Sequence, residues 1–273
     1  MLGAIAGDII GSVYEFNQTK RKDFDLFTAQ SSFTDDSILS IAVADVVLHN
    51  DSDGGNYAAA IKRYAQRYPH PMGGYGARFS QWAQSASLQP YNSWGNGSAM
   101  RVSPIGFACD TMHKVLDAAK QSAAVTHNHP EGIKGAQATA AAIFLARNQH
   151  DKQTIKAFIE QTFEYNLSRT LSDIRPTYAF CESCHGSVPE SMIAFLESAD
   201  FEDAIRNAIS LGGDTDTMGA ITGSIAEAFY GGVPDAIAQE CLRRLDVPLR
   251  QMTLKFCDRY TKNYSSLLPL SPA

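Results

Sequence analysis

Apolar residues recur at spacings of three and four along most of this chain, and that periodicity constrains its fold more than any other feature. The stretch "SILSIAVADVVLHN" places Ile38, Ile41, Val46 and Leu48 around an apolar face interrupted by Asp45. "GAQATAAAIFLARNQ" is almost wholly alanine and aliphatic, the composition of a tightly packed interior helix. "VPESMIAFLESA", "FEDAIRNAISLG" and "PDAIAQECLRRL" open on or beside proline or acid and carry the same spacing. Pro189, Pro234 and Pro248 are expected in first turns, where a missing N–H costs nothing. No convincing pair of alternating strands occurs, and the βαβ rhythm of a parallel sheet is absent. The prediction is an all-α chain in one domain, with loops at 17–33, 69–76, 87–97 and 170–187. Long loops in a compact domain are often functional.

The chain has 273 residues, 44% of them hydrophobic, which is enough apolar material for a substantial core. Its net charge of -6 comes without a Lys/Arg block, so a nucleic-acid partner is not expected. The start, "MLGAIAGDIIGSVYEF", has no basic leader and is interrupted by Asp8, so no signal peptide is read. No uncharged apolar run approaches the roughly 20 residues of a membrane span, so no membrane partner is expected either. The five cysteines are an odd, scattered set, and the expectation is reduced thiols in the cytoplasm. Cys181, Cys184 and His185 spell the c-type haem attachment pattern. Covalent haem attachment normally follows export, and a zinc site would lack a second ligand pair, so neither reading is adopted.

Two helix starts carry more acid than a cap needs. In "FTDDSILSIAVADVVL", Thr34, Asp35 and Asp36 directly precede an apolar run. In "GGDTDTMGAITGSIAEAFYG", Asp214, Thr215, Asp216 and Thr217 stand in the same relation to another. Capping explains one side chain at each start, since Asp and Thr accept orphan backbone N–H groups and the dipole favours negative charge there. Each start offers a carboxylate beyond that, and neither has an adjacent Lys or Arg. Unpaired buried carboxylates are costly, so they are protonated, paired with distant cations, or bound to metal. Hard Asp and Thr oxygens suit Mg²⁺ or Mn²⁺ better than zinc.

The paired acidic starts resemble those of the ADP-ribosylglycohydrolase family, which includes the dinitrogenase reductase-activating glycohydrolase. Four further segments are similar to that family, in family order: "GAIAGDIIGSVYEF", "GNGSAMRVSPIG", "THNHPEGIKGAQA" and "GSVPESMIAFL". The resemblance implies an all-α fold, a compact orthogonal multi-helix bundle with a dinuclear metal site at the cleft, spanning 1–273 as a single domain. It implies two divalent cations, Mg²⁺ or Mn²⁺, held by Thr34, Asp35, Asp36, Asp214, Asp216 and Thr217. Asp216 is the candidate for bridging both, and Thr215 is expected to point away. Glu15, at the end of the first helix, is expected beside the scissile ribose, with Asp35 and Asp216 completing the catalytic set. Asn96, Gly97, Ser98, His127 and Gly213 inherit substrate contacts. Asp8 receives a supporting role, and Arg101 an interior one beside a carboxylate.

The implied activity is metal-dependent hydrolysis of the bond between ADP-ribose and a modified group, foremost a protein arginine. The substrate is then an ADP-ribosylated protein or an ADP-ribose conjugate. Alternatives are a hydrolase of a free ADP-ribose-like small molecule and a non-catalytic, crystallin-like binding protein on the same fold. The 17–33 loop is expected to border the cleft.

Overall fold

The computed structural model describes residues 1–49 and 54–267; the remainder of the expected 1–273 domain lies outside the described residues. Among these residues there are fifteen α-helices and no strand. They are α1 (Leu2–Gly11), α2 (Asp35–Leu48), α3 (Gly54–Arg67), α4 (Ala77–Gln84), α5 (Gly97–Met100), α6 (Ser103–Ala108), α7 (Met112–Ala124) and α8 (Pro130–Arg147). There follow α9 (Lys152–Phe163), α10 (Leu171–Ile174), α11 (Cys184–Leu196), α12 (Phe201–Ile209), α13 (Thr215–Tyr230), α14 (Asp235–Arg244) and α15 (Val247–Tyr260). The all-α expectation is therefore correct. None of these helices is long and apolar enough to cross a membrane.

Helix α13 is the axis of the fold. It is buried from Thr215 to Glu227 and packs against α1, α8, α11 and α12. Its contact with α1 is backbone on backbone. A Cβ at Gly7 would lie 1.9 Å from the Gly219 carbonyl oxygen, and one at Gly3 would lie 2.2 Å from that of Gly223. Gly11 faces Thr215 at the other end, so the two helices run antiparallel. Glycines four apart line one helical face, and only a hydrogen there allows this approach. The antiparallel pairing brings the C-terminal end of α1 to the acidic start of α13.

Asp8, buried in α1, fixes the start of α2. Its carboxylate accepts from the Thr34 amide at 3.0 Å, the Thr34 hydroxyl at 2.8 Å, the Ser37 amide at 3.1 Å and the Ser37 hydroxyl. This is the supporting role expected of it. The two acidic helix starts thus meet because α1 lies against both helices.

Two local expectations need correction. Pro189 lies inside α11 rather than in its first turn. The helix begins earlier because the Ser183 hydroxyl accepts from the Gly186 amide at 3.1 Å, capping it at Cys184. Pro234 does sit at the N-cap of α14, and Pro248 in the first turn of α15. The 170–187 loop also contains α10, nucleated by a reciprocal capping box between Thr170 and Asp173.

Candidate functional site

A cleft opens where the loops before α2, α4, α5, α11 and α13 converge. Its floor carries Asp35 and Asp36 from the start of α2, Asp214, Asp216 and Thr217 from the start of α13, and Glu15. Glu15 sits in the turn beyond Gly11, not within α1 as expected. Carboxylate oxygens of Glu15, Asp214 and Asp216 all lie within 4.8 Å of one another. Asp36 Oδ2 accepts from the Thr217 hydroxyl at 3.3 Å and from the Thr34 hydroxyl at 3.4 Å. Asp36 Oδ1 is buried and, among the described residues, has no hydrogen-bond partner. Thr215 donates to the Gly11 carbonyl at 2.9 Å and so points away, as expected.

The electrostatics of the floor follow from burial and from Asp216. Burial first, then the Asp216 charge, raises the Asp8 carboxyl to about 7 and that of Glu15 to about 8. The same two causes hold Asp35, Asp36 and Asp214 well above the usual carboxylate range. Buried acids elsewhere have cationic partners, as Asp45 has Arg63 at 2.6 Å and Glu190 has Arg169 at 2.7 Å. Among the described residues, no Lys or Arg forms an ion pair with the floor carboxylates. An orphaned carboxylate oxygen among mutually repelling acids fits a hard divalent cation, and the Asp and Thr donor set matches one.

This predicts a pH dependence in the chelated protein. Carboxyls whose folded pKa is raised stabilise the fold below their unfolded pKa, near 4, and lose that contribution as pH rises through the folded value. With chelator, the melting temperature falls as pH rises from 5 through 7 and 8, the values of Asp8 and Glu15. Saturating Mg²⁺ or Mn²⁺ flattens the slope. A chelated protein that becomes more stable over this range would contradict the crowded-carboxylate account.

The cleft walls hold Gly95, Asn96, Gly97 and His127. Asn96 does not offer its amide freely to a ligand. Its Nδ2 donates to Asp214 Oδ2 at 2.8 Å and to the Ser187 hydroxyl at 3.2 Å, so it orients a floor carboxylate. Ser98 is fully buried and its hydroxyl donates to the Gly132 carbonyl at 2.7 Å, which leaves only its backbone for a ligand. Gly213 is also outside the cleft lining. Its φ of +81° and the Tyr178 ring, 2.7 Å from where a Cβ would lie, explain the glycine. Thr34 donates to Asp8 and caps α2, accepting from the Asp36 amide at 3.2 Å, and its oxygen keeps a second lone pair. Among the described residues Arg101 has no carboxylate partner, contrary to expectation. It donates to the Ser122 carbonyl at 3.0 Å and the Thr126 hydroxyl at 2.8 Å.

The 17–33 segment does not line the cleft, which corrects another expectation. It is a strap across α12, the loop before α13, and α14. Lys20 reaches the Tyr178 carbonyl at 2.6 Å, Arg206 holds the Lys22 and Phe24 carbonyls at 2.7 Å, and Arg244 holds that of Thr28 at 2.9 Å. The Cys-x-x-Cys-His stretch leads into α11, whose first two residues are Cys184 and His185. The buried Cys184 thiol donates to the Gly95 carbonyl at 3.1 Å, and burial pushes its pKa up to about 12. His185, 79% exposed, points away from it.

The opposite wall is Gly73, Gly74, Tyr75, Gly76, Arg78 and Tyr91; all but Arg78 fall in the expected 69–76 and 87–97 loops, but sequence reasoning assigned none of them a site role. The signal was the "GGYG" run, whose Gly73 and Gly74 have φ of +77° and +80°. A Cβ on Gly73 would lie 3.2 Å from Glu15 Oε2, so this loop closes over the acid. Trp94 and Phe180, 50% and 47% exposed, stand at the mouth.

An all-helical fold with carboxylates from distant helix starts on the floor of a glycine-walled cleft defines a class, that of oxygen-donor hydrolase sites able to take divalent cations. Residues 1–266 match the ADP-ribosylglycohydrolase family, and the chain belongs to it. ADP-ribosylhydrolase ARH3 of Homo sapiens is 27% identical, with 88% of this chain and 87% of that protein covered. ADP-ribosylarginine hydrolase Tri1 of Pseudomonas putida (strain GB-1) is 24% identical over 86% of this chain and 71% of its own length. The solved structure of an ADP-ribosylglycohydrolase-related protein complex superposes with a TM-score of 0.68, covering 93% of this chain and 95% of its own at 23% identity. That likeness establishes the fold. The family and its named relatives make the chain an ADP-ribosyl glycohydrolase.

Proposed function

We propose that this chain hydrolyses the glycosidic bond between ADP-ribose and a protein arginine, with two divalent cations, Mg²⁺ or Mn²⁺, at the floor of the cleft. The observation that carries this is the meeting of carboxylates from both ends of the chain beneath walls of glycine and histidine. Thr34, Asp35, Asp36, Asp214, Asp216 and Thr217 are the residues that would hold the cations. Bound there, the cations supply Lewis-acid polarisation and offset the crowded negative charge.

The chain's own groups do the rest. Glu15, half-buried with its carboxylate beside those of Asp214 and Asp216, is placed to exchange a proton with an attacking water. The acidic floor suits the positive charge that develops at the anomeric carbon. Arginine as the modified group is supported by the name of the Tri1 relative. The backbones of Gly95 and Gly97 let a ligand approach closely, and His127 lies beside them. The site lies inside the cell, in the cytoplasm, where the five cysteines stay reduced.

The reading is tested by ADP-ribose release from arginine-modified and serine-modified proteins, with Mg²⁺, with Mn²⁺ and with chelator. Metal-dependent release from the arginine conjugate alone supports it. Release from serine alone would replace the linkage and keep the reaction. Glu15→Gln is expected to lower kcat by about a hundredfold or more while ADP-ribose affinity stays near wild type. An equal loss in both would make Glu15 a binding residue.

A further inference from the structure

His127 is held by a short relay that decides which of its ring nitrogens carries the proton. Arg101, fully buried, donates from Nη2 to the Thr126 hydroxyl oxygen at 2.8 Å. A guanidinium can only donate, so Thr126 Oγ1 accepts this bond. Thr126 Oγ1 also lies 2.7 Å from His127 Nδ1. Among the described residues, no other acceptor is recorded for the Thr126 hydroxyl proton. That proton therefore goes to His127 Nδ1, which accepts, and the ring's own proton sits on Nε2.

The surroundings keep the ring neutral. Burial first, then the nearby charges of Arg101 and Arg78, hold the His127 pKa well below its ordinary value. The remaining close group is the Tyr91 ring, with centroids 6.0 Å apart. No protein acceptor is recorded for Nε2 among the described residues, and His127 lines the cleft. The space around Nε2 is kept by two glycines. A Cβ would lie 3.2 Å from it at Gly97 and 3.5 Å at Gly95.

We propose that Arg101 and Thr126 are positioning residues that lock His127 as the Nε2–H tautomer and so present one directed donor to an acceptor oxygen of ADP-ribose. The tautomer rests on this chain's own hydrogen bonds; the identity of the ligand rests on the reading of the function above. The relay also accounts for Arg101, a buried cation without a carboxylate. Its role is to donate to the threonine oxygen and so turn the hydroxyl proton toward Nδ1.

Nitrogen-15 spectra of the full chain, with the His127 signal assigned by its loss in His127→Gln, report the tautomer directly. The expected wild-type pattern is a protonated Nε2 and an unprotonated Nδ1. Thr126→Val removes the hydroxyl at nearly constant shape. It should release the tautomer and weaken ADP-ribose binding, by calorimetry with Mg²⁺, about tenfold. Thr126→Ser should restore both, which a loss of general packing would not explain. Gly97→Ala serves if the valine variant folds poorly: the tautomer stays and binding weakens, because the new methyl crowds Nε2. A wild-type protein with Nδ1 protonated, or a folded Thr126→Val with wild-type tautomer and affinity, would overturn the proposal. A wild-type Nε2–H tautomer without ADP-ribose binding would uphold the relay and overturn the substrate reading instead.

Discussion

Asp216→Asn is expected to lower ADP-ribose release by at least about a thousandfold while leaving a folded protein that, in chelator at pH 8, melts above wild type. Both parts have one cause. The Asp216 charge bears on Asp8, Glu15, Asp35, Asp36 and Asp214, raising all five carboxyls. A carboxylate whose charge bears on five others repels them when no cation is present and would help to hold cations when they bind. Asparagine keeps the shape and an oxygen for the Thr217 amide, which Oδ1 accepts at 2.9 Å. It removes the charge, so the metal-free repulsion falls and cation affinity falls with it. Activity assays at saturating Mg²⁺ and Mn²⁺, paired with melting curves in chelator, separate the two. A variant with wild-type activity would sink the dinuclear arrangement. One that melts lower in chelator would mean that Asp216 holds the fold through contacts that asparagine cannot replace.

Gly7→Ala should destabilise the protein by at least about 3 kcal/mol, although helix propensity alone favours alanine by about 1 kcal/mol. The sign is decided by the 1.9 Å between the new Cβ and the Gly219 carbonyl oxygen. That atom is backbone in a buried helix, and it cannot turn aside as a side chain would. Relief requires α1 and α13 to separate, which pulls Asp8 from Thr34 and Glu15 from Asp214 and Asp216. Activity should therefore fall with stability. Gly76→Ala, with no atom within 4 Å of its Cβ, is the control for stability and should stay within about 0.5 kcal/mol. Urea unfolding of both proteins gives the comparison. A Gly7→Ala protein as stable as wild type would show that the helix contact can open without cost.

The Gly3, Gly7 and Gly11 spacing was present in the sequence, together with Gly219 and Gly223. It went unread as packing because glycine carries no periodic hydrophobic signal and usually marks turns. The same holds for Gly73 and Gly74, whose value lies in a backbone path no composition reveals. Pro189 misled for another reason: the Ser183 cap that starts α11 a turn earlier competes with the stronger proline signal.

What the sequence determined by itself was the helical class, through apolar residues at three- and four-residue spacing, and the acidic helix starts with their ligand-type residues. Those are local properties of the chain, fixed by periodicity and by side-chain chemistry. Only the tertiary structure decided that Glu15 faces Asp214 and Asp216 and that Asn96 serves Asp214. It also moved the 17–33 strap away from the cleft and joined Arg101 through Thr126 to His127. Each of these depends on the distance between segments far apart in the chain. For Glu15 that distance is set by how closely the backbones of α1 and α13 approach, and glycines set it.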